Sequence, residues 1–292
     1  MNLCDYGEIK KLLSDFDFRF SKSLGQNFII NPDVCPKMAD MSGIDGESGV
    51  IEIGPGIGVL TAELAKRAKK VVCIELDSRL IPLLGITLAE YENIEIINAD
   101  VLKTDLHALI NEKFAGMKVF VCANLPYYIT SPVIMDILTR RLPVESITVM
   151  VQKEAAERLC AEVGDPAAGA VTAAVRYYCL PQILFSVPRH SFVPVPKVDS
   201  AVIKLTPLKA PPVKVTDEKY FFSVVKACFA MRRKTLLNTV SKTLDIEKAR
   251  IKTVLDGMGL DENVRGETLN LEQLARLAEG LYPLSDARAG DS

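Results

Sequence analysis

Histidine is nearly missing from this 292-residue chain: His107 and His190 are the only two, and neither stands among other ligand-type residues. Metal binding and catalysis by a histidine base are therefore not expected. Cysteine is present but unpatterned. Seven Cys make an odd number with no C-x-x-C spacing, which fits reduced thiols better than a disulfide framework or a zinc site. No apolar run reaches the length of a membrane span. The opening MNLCDYGEIKKLLSDFDF is charged throughout and has no secretory apolar stretch, so a cytoplasmic protein with no membrane contact is expected. Internal repeats and low-complexity tracts are also missing. A formal net charge of -2 excludes a wholly basic nucleic-acid coat, while leaving room for a local basic patch.

What is present is an ordinary globular composition, 49% hydrophobic and 25% charged, in a chain long enough for one large domain and a smaller one. From about Gly49, short apolar runs alternate with amphipathic segments. The runs Val50–Ile53, Val71–Glu75, Ile94–Ala99, Val119–Asn124 and Ile147–Gln152 read as strands. Helices are predicted over Val59–Arg67, Arg79–Tyr91 (with Pro82 in its first turn), Val133–Arg140 and Lys153–Cys160. Such alternation predicts an α/β fold with a parallel sheet covered on both faces. Past Pro207 the Pro-rich PLKAPPVKVTDEKY reads as a connector, and no strand is expected beyond it. Thr216 is placed to cap a helix carrying Phe221, Val225, Cys228 and Phe229 on one face. Asn270 and Gln273 form a capping-box pair ahead of Leu274, Leu277 and Leu281. The tail is expected to be a small all-helical domain.

In open α/β sheets, ligands bind beyond the carboxyl ends of the strands. Four ends here carry chemistry. The first runs into Gly54-Pro55-Gly56-Ile57-Gly58, a turn that lets a ligand approach the backbone. Its G-x-G-x-G spacing departs from the dinucleotide G-x-G-x-x-G and lacks the Lys-Ser/Thr pair of a phosphate loop. The second ends on Glu75, suited to both hydroxyls of a ribose, and the third on Asp100, suited to an adenine amino group. Together they describe a nucleoside pocket with no phosphate cradle, for which S-adenosyl-L-methionine is a fitting ligand.

The fourth end is Asn124-Leu125-Pro126-Tyr127. An exocyclic base amine is a poor nucleophile because its lone pair is delocalised into the ring. Two acceptors on its two N–H groups favour a pyramidal nitrogen and aim the lone pair. The Asn124 side-chain oxygen and the Leu125 carbonyl are expected in these roles. Pro126 holds that carbonyl in place, and Tyr127 offers a ring on which a base stacks. No basic residue is needed before transfer, so the catalysis is mostly positioning.

These residues, with SKSLGQNFI (Ser21–Ile29), EIGPGIGVLT, IELD, NAD, MVQKEAAERL, FVPVPKVDSAV and FAMRRKTLLN, resemble the bacterial small-subunit (16S) ribosomal RNA adenine N6,N6-dimethyltransferases from about Phe20 to Leu281. The resemblance implies a Rossmann-like class I S-adenosylmethionine-dependent methyltransferase sheet of seven strands, the last antiparallel (Ala201–Thr206 here), and a C-terminal helical domain. The implied division is an N-terminal extension at 1–19, a methyltransferase domain at 20–208 and a helical RNA-binding domain at 209–292. By matching position, Gln26, Asn27 and Ile29 pack over the methionine end of the cofactor. Gly54 lines it, and Asn124 also reaches it. Phe192 is implied as a second aromatic wall opposite Tyr127. Tyr128 departs from the family's usual Asn. The implied target is two adjacent adenosines of small-subunit RNA in an immature subunit, with a monomeric enzyme expected.

For RNA contact, 219–252 holds nine Lys/Arg against two Asp/Glu, densest at Arg232-Arg233-Lys234. Arg140-Arg141 and Arg189 are possible extensions of that track. Two rival readings stay open: a macrolide-resistance type methylase of large-subunit RNA, and a noncatalytic RNA-binding assembly factor on the same fold. A nicotinamide dehydrogenase is disfavoured by the glycine spacing and the lack of a plausible catalytic His or Lys.

Overall fold

The structure, a computed structural model, describes residues 1–18, 26–231 and 233–282. Its strands are β1 (Phe28–Ile29), β2 (Gly49–Ile53), β3 (Lys70–Glu75), β4 (Ile94–Asn98), β5 (Val119–Asn124), β6 (Ser146–Gln152), β7 (Cys179–Val187), β8 (Phe192–Val193) and β9 (Ser200–Pro207). Its helices are α1 (Tyr6–Asp15), α2 (Val34–Ser42), α3 (Val59–Ala65), α4 (Ile81–Thr87), α5 (Leu106–Lys113), α6 (Thr130–Thr139), α7 (Lys153–Cys160), α8 (Ala170–Tyr178), α9 (Glu218–Phe229), α10 (Leu236–Leu244), α11 (Lys248–Met258) and α12 (Leu271–Leu281).

Seven strands form one sheet in the order β4-β3-β2-β5-β6-β9-β7. The first five are parallel, and β9 runs antiparallel to both β6 and β7. The order reverses between β2 and β5, so a crevice opens at the carboxyl ends of β2, β3 and β5. The interior strands β2, β3, β5 and β6 are mostly apolar and buried on both faces because helices cover both. This is the expected seven-stranded arrangement, with β9 as its antiparallel strand. β7 has no counterpart in the sequence reading. Pro181 and an irregular burial pattern hide it, and an edge strand is where a proline is tolerated.

The chain divides into two compact units, one of residues 1–160 and 179–207, the other of 161–178 and 208–292. The expected boundary after 208 therefore needs correcting: 161–178, including α8, belongs to the second unit. The reason is packing. Tyr177 and Tyr178 both donate to the Glu218 carboxylate and pack their rings on Phe221 and Phe222. Sequence proximity to the sheet could not reveal this. The first residues also do more than extend the chain. Asp5 caps α1 by accepting from Glu8 N–H at 2.9 Å, and Ile9, Leu12 and Leu13 join the core of the first unit.

The second unit's described residues contain helices and no strand of either sheet. Its α9 is capped by Asp217, not Thr216 as expected. Asp217 accepts from Tyr220 N–H, and Thr216 instead makes two 2.7 Å bonds to Glu279. The capping box at Asn270 and Gln273 is present on α12. Among the described residues no helix is long and apolar enough to cross a membrane, and Cys4, Cys35, Cys73, Cys122, Cys179 and Cys228 are free thiols.

Candidate active site

A cleft of about 330 Å³ lies at the crevice of the first unit. It gathers the ends of β2, β3, β4 and β5, together with residues 26–29 and Phe192. Its charged side chains are Glu52, Glu75 and Asp100, and no Lys or Arg is among the described residues that line it. The field inside is therefore negative, which favours a cation and disfavours phosphate.

Glu75 and Asp100 are each held by an adjoining turn. Glu75 is buried and accepts from Asp77 N–H at 2.8 Å and from Gly56 N–H at 3.4 Å. Burial pushes its carboxyl up and these two donors pull it back. Gly56 can donate to it because β2 and β3 are in register, with Ile53 opposite Ile74. Asp100 caps the turn after β4 by accepting from Leu102 N–H at 3.1 Å, and Lys103 stands 3.8 Å from it. Asp77 was not singled out from the sequence, although it stands in the quoted IELD. Arg79 bonds it in two places and holds its carboxyl below the usual range, and it accepts from Gln26 Nε2 at 2.8 Å. Gln26 is thereby fixed at the cleft wall.

Glu52 sits deeper in the floor. Its neighbours across β3 and β5 are Cys73 and Cys122, and the Cys73 thiol reaches its carboxylate at 3.5 Å. Burial in this thiol-lined row pushes its carboxyl up to about 7. The glycine turn divides by role. Gly54 (φ 69°) and Gly56 (φ 62°) line the cleft, and a Cβ on Gly54 would meet nothing within 4 Å. Gly58, expected among the cofactor-binding residues, does not line the cleft. It caps α3, and a Cβ there would stand 2.9 Å from Leu88 Cδ2, so it is a packing glycine.

At the other end, Asn124 Nδ2 donates to Asn27 O at 3.4 Å. With its nitrogen engaged, the amide's oxygen is the atom left to accept. Leu125 N–H donates to Met150 O and its side chain is buried, which anchors the peptide that carries the Leu125 carbonyl. The Pro126 carbonyl accepts from Ile129 N–H and the Thr130 hydroxyl, closing a turn into α6. Tyr127 is half-buried, its hydroxyl 3.0 Å from Ser200 Oγ, and burial pushes that hydroxyl's pKa up. Phe192 lies on the wall but is only 1% exposed, fixed by its pairing with Ile29 between β1 and β8. Leu76 was also missed. It lines the cleft at 51% exposure, an apolar side chain directly after a strand-end acid.

The family model for ribosomal RNA adenine dimethylase matches residues 17–278. The chain belongs to the ribosomal RNA adenine dimethylase family. The chain is 51% identical over 282 residues to the ribosomal RNA small subunit methyltransferase A of Geobacillus thermodenitrificans, covering 95% of this chain and 96% of that one. It is 49% identical to the protein of the same name from Alkaliphilus oremlandii, over 93% and 95%. Among solved structures it is similar to a dimethyladenosine transferase from Plasmodium falciparum (TM-score 0.70, 30% identity, 85% and 95% covered). It is also similar to the 23S rRNA methyltransferase ErmE (TM-score 0.65, 28% identity, 87% and 99% covered).

Of the basic residues expected on RNA, Arg232 lies outside the described residues. Arg233 and Lys234 are exposed, in the turn before α10 of the second unit. Arg140 is corrected: its guanidinium is an internal clamp, paired with Asp136 at 2.9 Å and bonded to the carbonyls of Thr104 and Leu102. It ties α6 to the loop that follows Asp100.

Proposed function

We propose that this chain dimethylates the N6 amino groups of two adjacent adenosines in small-subunit ribosomal RNA, using S-adenosyl-L-methionine as the methyl donor. We read it as a cytoplasmic monomer acting on an immature subunit. One observation carries the reading: among the described residues the cleft presents the carboxyl groups of Glu52, Glu75 and Asp100 and no Lys or Arg, beside an Asn-Leu-Pro-Tyr turn. A phosphate-bearing cofactor would find no counter-charge among these described residues, whereas a positively charged nucleoside fits.

S-adenosyl-L-methionine supplies a methyl group activated by a positive sulfur. The chain supplies placement. Glu75 accepts from the ribose hydroxyls and Asp100 from the adenine amino group. Gly54 and Gly56 leave room at the backbone, and Gln26, Asn27 and Ile29 cover the methionine end. Asn124 Oδ1 and the Leu125 carbonyl accept from the target amine and direct its lone pair at the donor. Tyr127 stacks on the base, and the buried Phe192 backs the opposite wall. A singly methylated amine keeps one N–H for this pair of acceptors, which permits a second transfer. Arg232, Arg233 and Lys234 are assigned to the RNA backbone.

The test is the nucleoside released from small-subunit RNA after reaction with purified protein and cofactor. N6,N6-dimethyladenosine is expected; a ribose or ring-carbon methylation overturns the reading. Parallel assays on naked large-subunit RNA and immature small subunits separate the two RNA targets, and absence of any transfer favours the assembly-factor alternative.

A further inference from the structure

The acidic cleft leaves an electrostatic question. A target base can enter it, but the phosphates on either side of that base cannot follow. They need cations close to the base end, on the first unit itself.

The strand ladder behind Tyr127 leads to such cations. Ser200, bonded to Tyr127, is the register partner of Gln152 at the end of β6. The next residues are locked as well, with Lys153 N–H donating to Asp199 O at 3.0 Å. Beyond that lock lies a second hollow of about 530 Å³, open to solvent, lined by Lys153, Glu154, Glu157, Arg189, Lys197 and Asp199. It is one residue removed from Ser200 along the chain. The loop between Phe192 and Ser200 therefore has the base end of the cleft at both its ends and this hollow along its length.

The charges in the hollow are unequally engaged. Glu154 is paired with Arg158 at 2.9 Å, and Asp199 accepts from Arg189 N–H at 2.9 Å. Lys153, Arg189 and Lys197 are all exposed, and among the described residues none of them forms an ion pair. Three cations outside any ion pair thus line it beside Glu157, and the Arg189 guanidinium also donates to Lys197 O at 3.4 Å. The same loop exposes Val195 (61%) and Val198 (44%), an apolar rim of the kind that packs against sugars and bases.

We infer that this hollow is a binding site for the sugar–phosphate segment adjoining the target adenosine. Lys153, Arg189 and Lys197 hold its phosphate oxygens, and Glu157 is placed to accept a ribose 2′-hydroxyl. The mixture matters. Free phosphate needs cations alone, whereas RNA offers anionic oxygens and hydroxyl donors side by side. The inference rests on the RNA-methylating reading above and names where the flanking strand lies.

The experiment uses the full chain with Lys153, Arg189 and Lys197 each changed to Gln. These are exposed side chains, so folding is retained, which circular dichroism verifies. The probes are immature small subunits and a small-subunit RNA fragment carrying the target adenosines. The KM for RNA is expected to rise about ten-fold or more, and the log–log salt slope of binding to fall by about 0.7 for each lost phosphate contact. Affinity for S-adenosylhomocysteine, measured by calorimetry, is expected to stay unchanged. An unchanged KM and salt slope, with the unmodified chain active, overturns the assignment alone. An unmodified chain that transfers no methyl to RNA overturns the functional reading instead. A defect on subunits that is absent with the RNA fragment would assign the hollow to a ribosomal protein and overturn the RNA site.

Discussion

The two ends of the cleft are built differently. At the end proposed for the cofactor each acid is fixed by its own turn: Glu75 by Asp77 N–H, Asp77 by Arg79, Asp100 by Leu102 N–H. At the end proposed for the target base the groups are fixed by distant segments: Asn124 by Asn27, Tyr127 by Ser200, and Phe192 by Ile29. The first end is therefore preorganised by local turns, and the second by the closure of the whole sheet. Local turns resist perturbation elsewhere in the chain, whereas an assembled site depends on several segments at once. The difference predicts that the two ends fail separately.

The largest effect should come from Asn124→Ala. Loss of one of the two acceptors on the target amine is expected to lower single-turnover methyl transfer by about 100-fold or more. Calorimetry should find cofactor affinity largely intact; equal losses in both would erase the distinction between the ends. Glu75→Ala should do the reverse. Removing a charged acceptor for two hydroxyls costs about 2–3 kcal/mol of cofactor affinity, roughly 30- to 150-fold, while RNA affinity stays where it was.

Glu52 lies below both ends and links the cleft to pH. Its carboxyl, at about 7 in the folded protein against 4.5 as its ordinary value, binds its proton more tightly when folded. The stability this confers is complete below about pH 4.5 and is lost as pH rises through 7, roughly 3 kcal/mol in all. Denaturant titrations of the ligand-free protein from pH 4.5 to 8 should show the slope, and Glu52→Gln should flatten it.

A smaller effect separates two glycines of one turn. Gly58→Ala meets Leu88 at 2.9 Å in a left-handed conformation, so a loss of about 1–3 kcal/mol is expected in thermal unfolding. Gly54→Ala shares the left-handed backbone cost (φ 69°) but meets no side chain, so a smaller loss than at Gly58 is expected in thermal unfolding, with a further cost on the ligand that shows in calorimetry. Smallest is Tyr127→Phe, which keeps the ring and loses one hydroxyl bond to Ser200. A rise in KM for RNA of about five-fold is expected, against up to about 100-fold for Tyr127→Ala, where stacking is lost as well.

Much of the acid-bearing end of the cleft was legible from sequence because its signals are contiguous. A strand that stops on an acid, followed by a turn that donates to it, is a pattern within a few residues, as at Glu75-Leu76-Asp77 and Asp100-Val101-Leu102. Strands ending in Gly54, Glu75 and Asn124 were similarly readable from apolar runs. Edge strand β7 was not, because Pro181 and half-exposed positions blur its period. Nor was α8, whose allegiance to the second unit is decided by Glu218, forty residues downstream of Tyr178. Arg140 looked like a surface cation until α6 was placed beside the loop after Asp100.

By itself the sequence determined the alternating α/β order, the chemistry of each strand end and the family to which the chain belongs. These rest on local propensity and on residue identity. The tertiary structure alone decided that Gly58 serves packing, that Asp77 anchors Gln26, and that Lys153, Arg189 and Lys197 meet in one hollow. Those outcomes depend on which residues face each other across strands and loops far apart in the chain, and only the register of the closed sheet sets that.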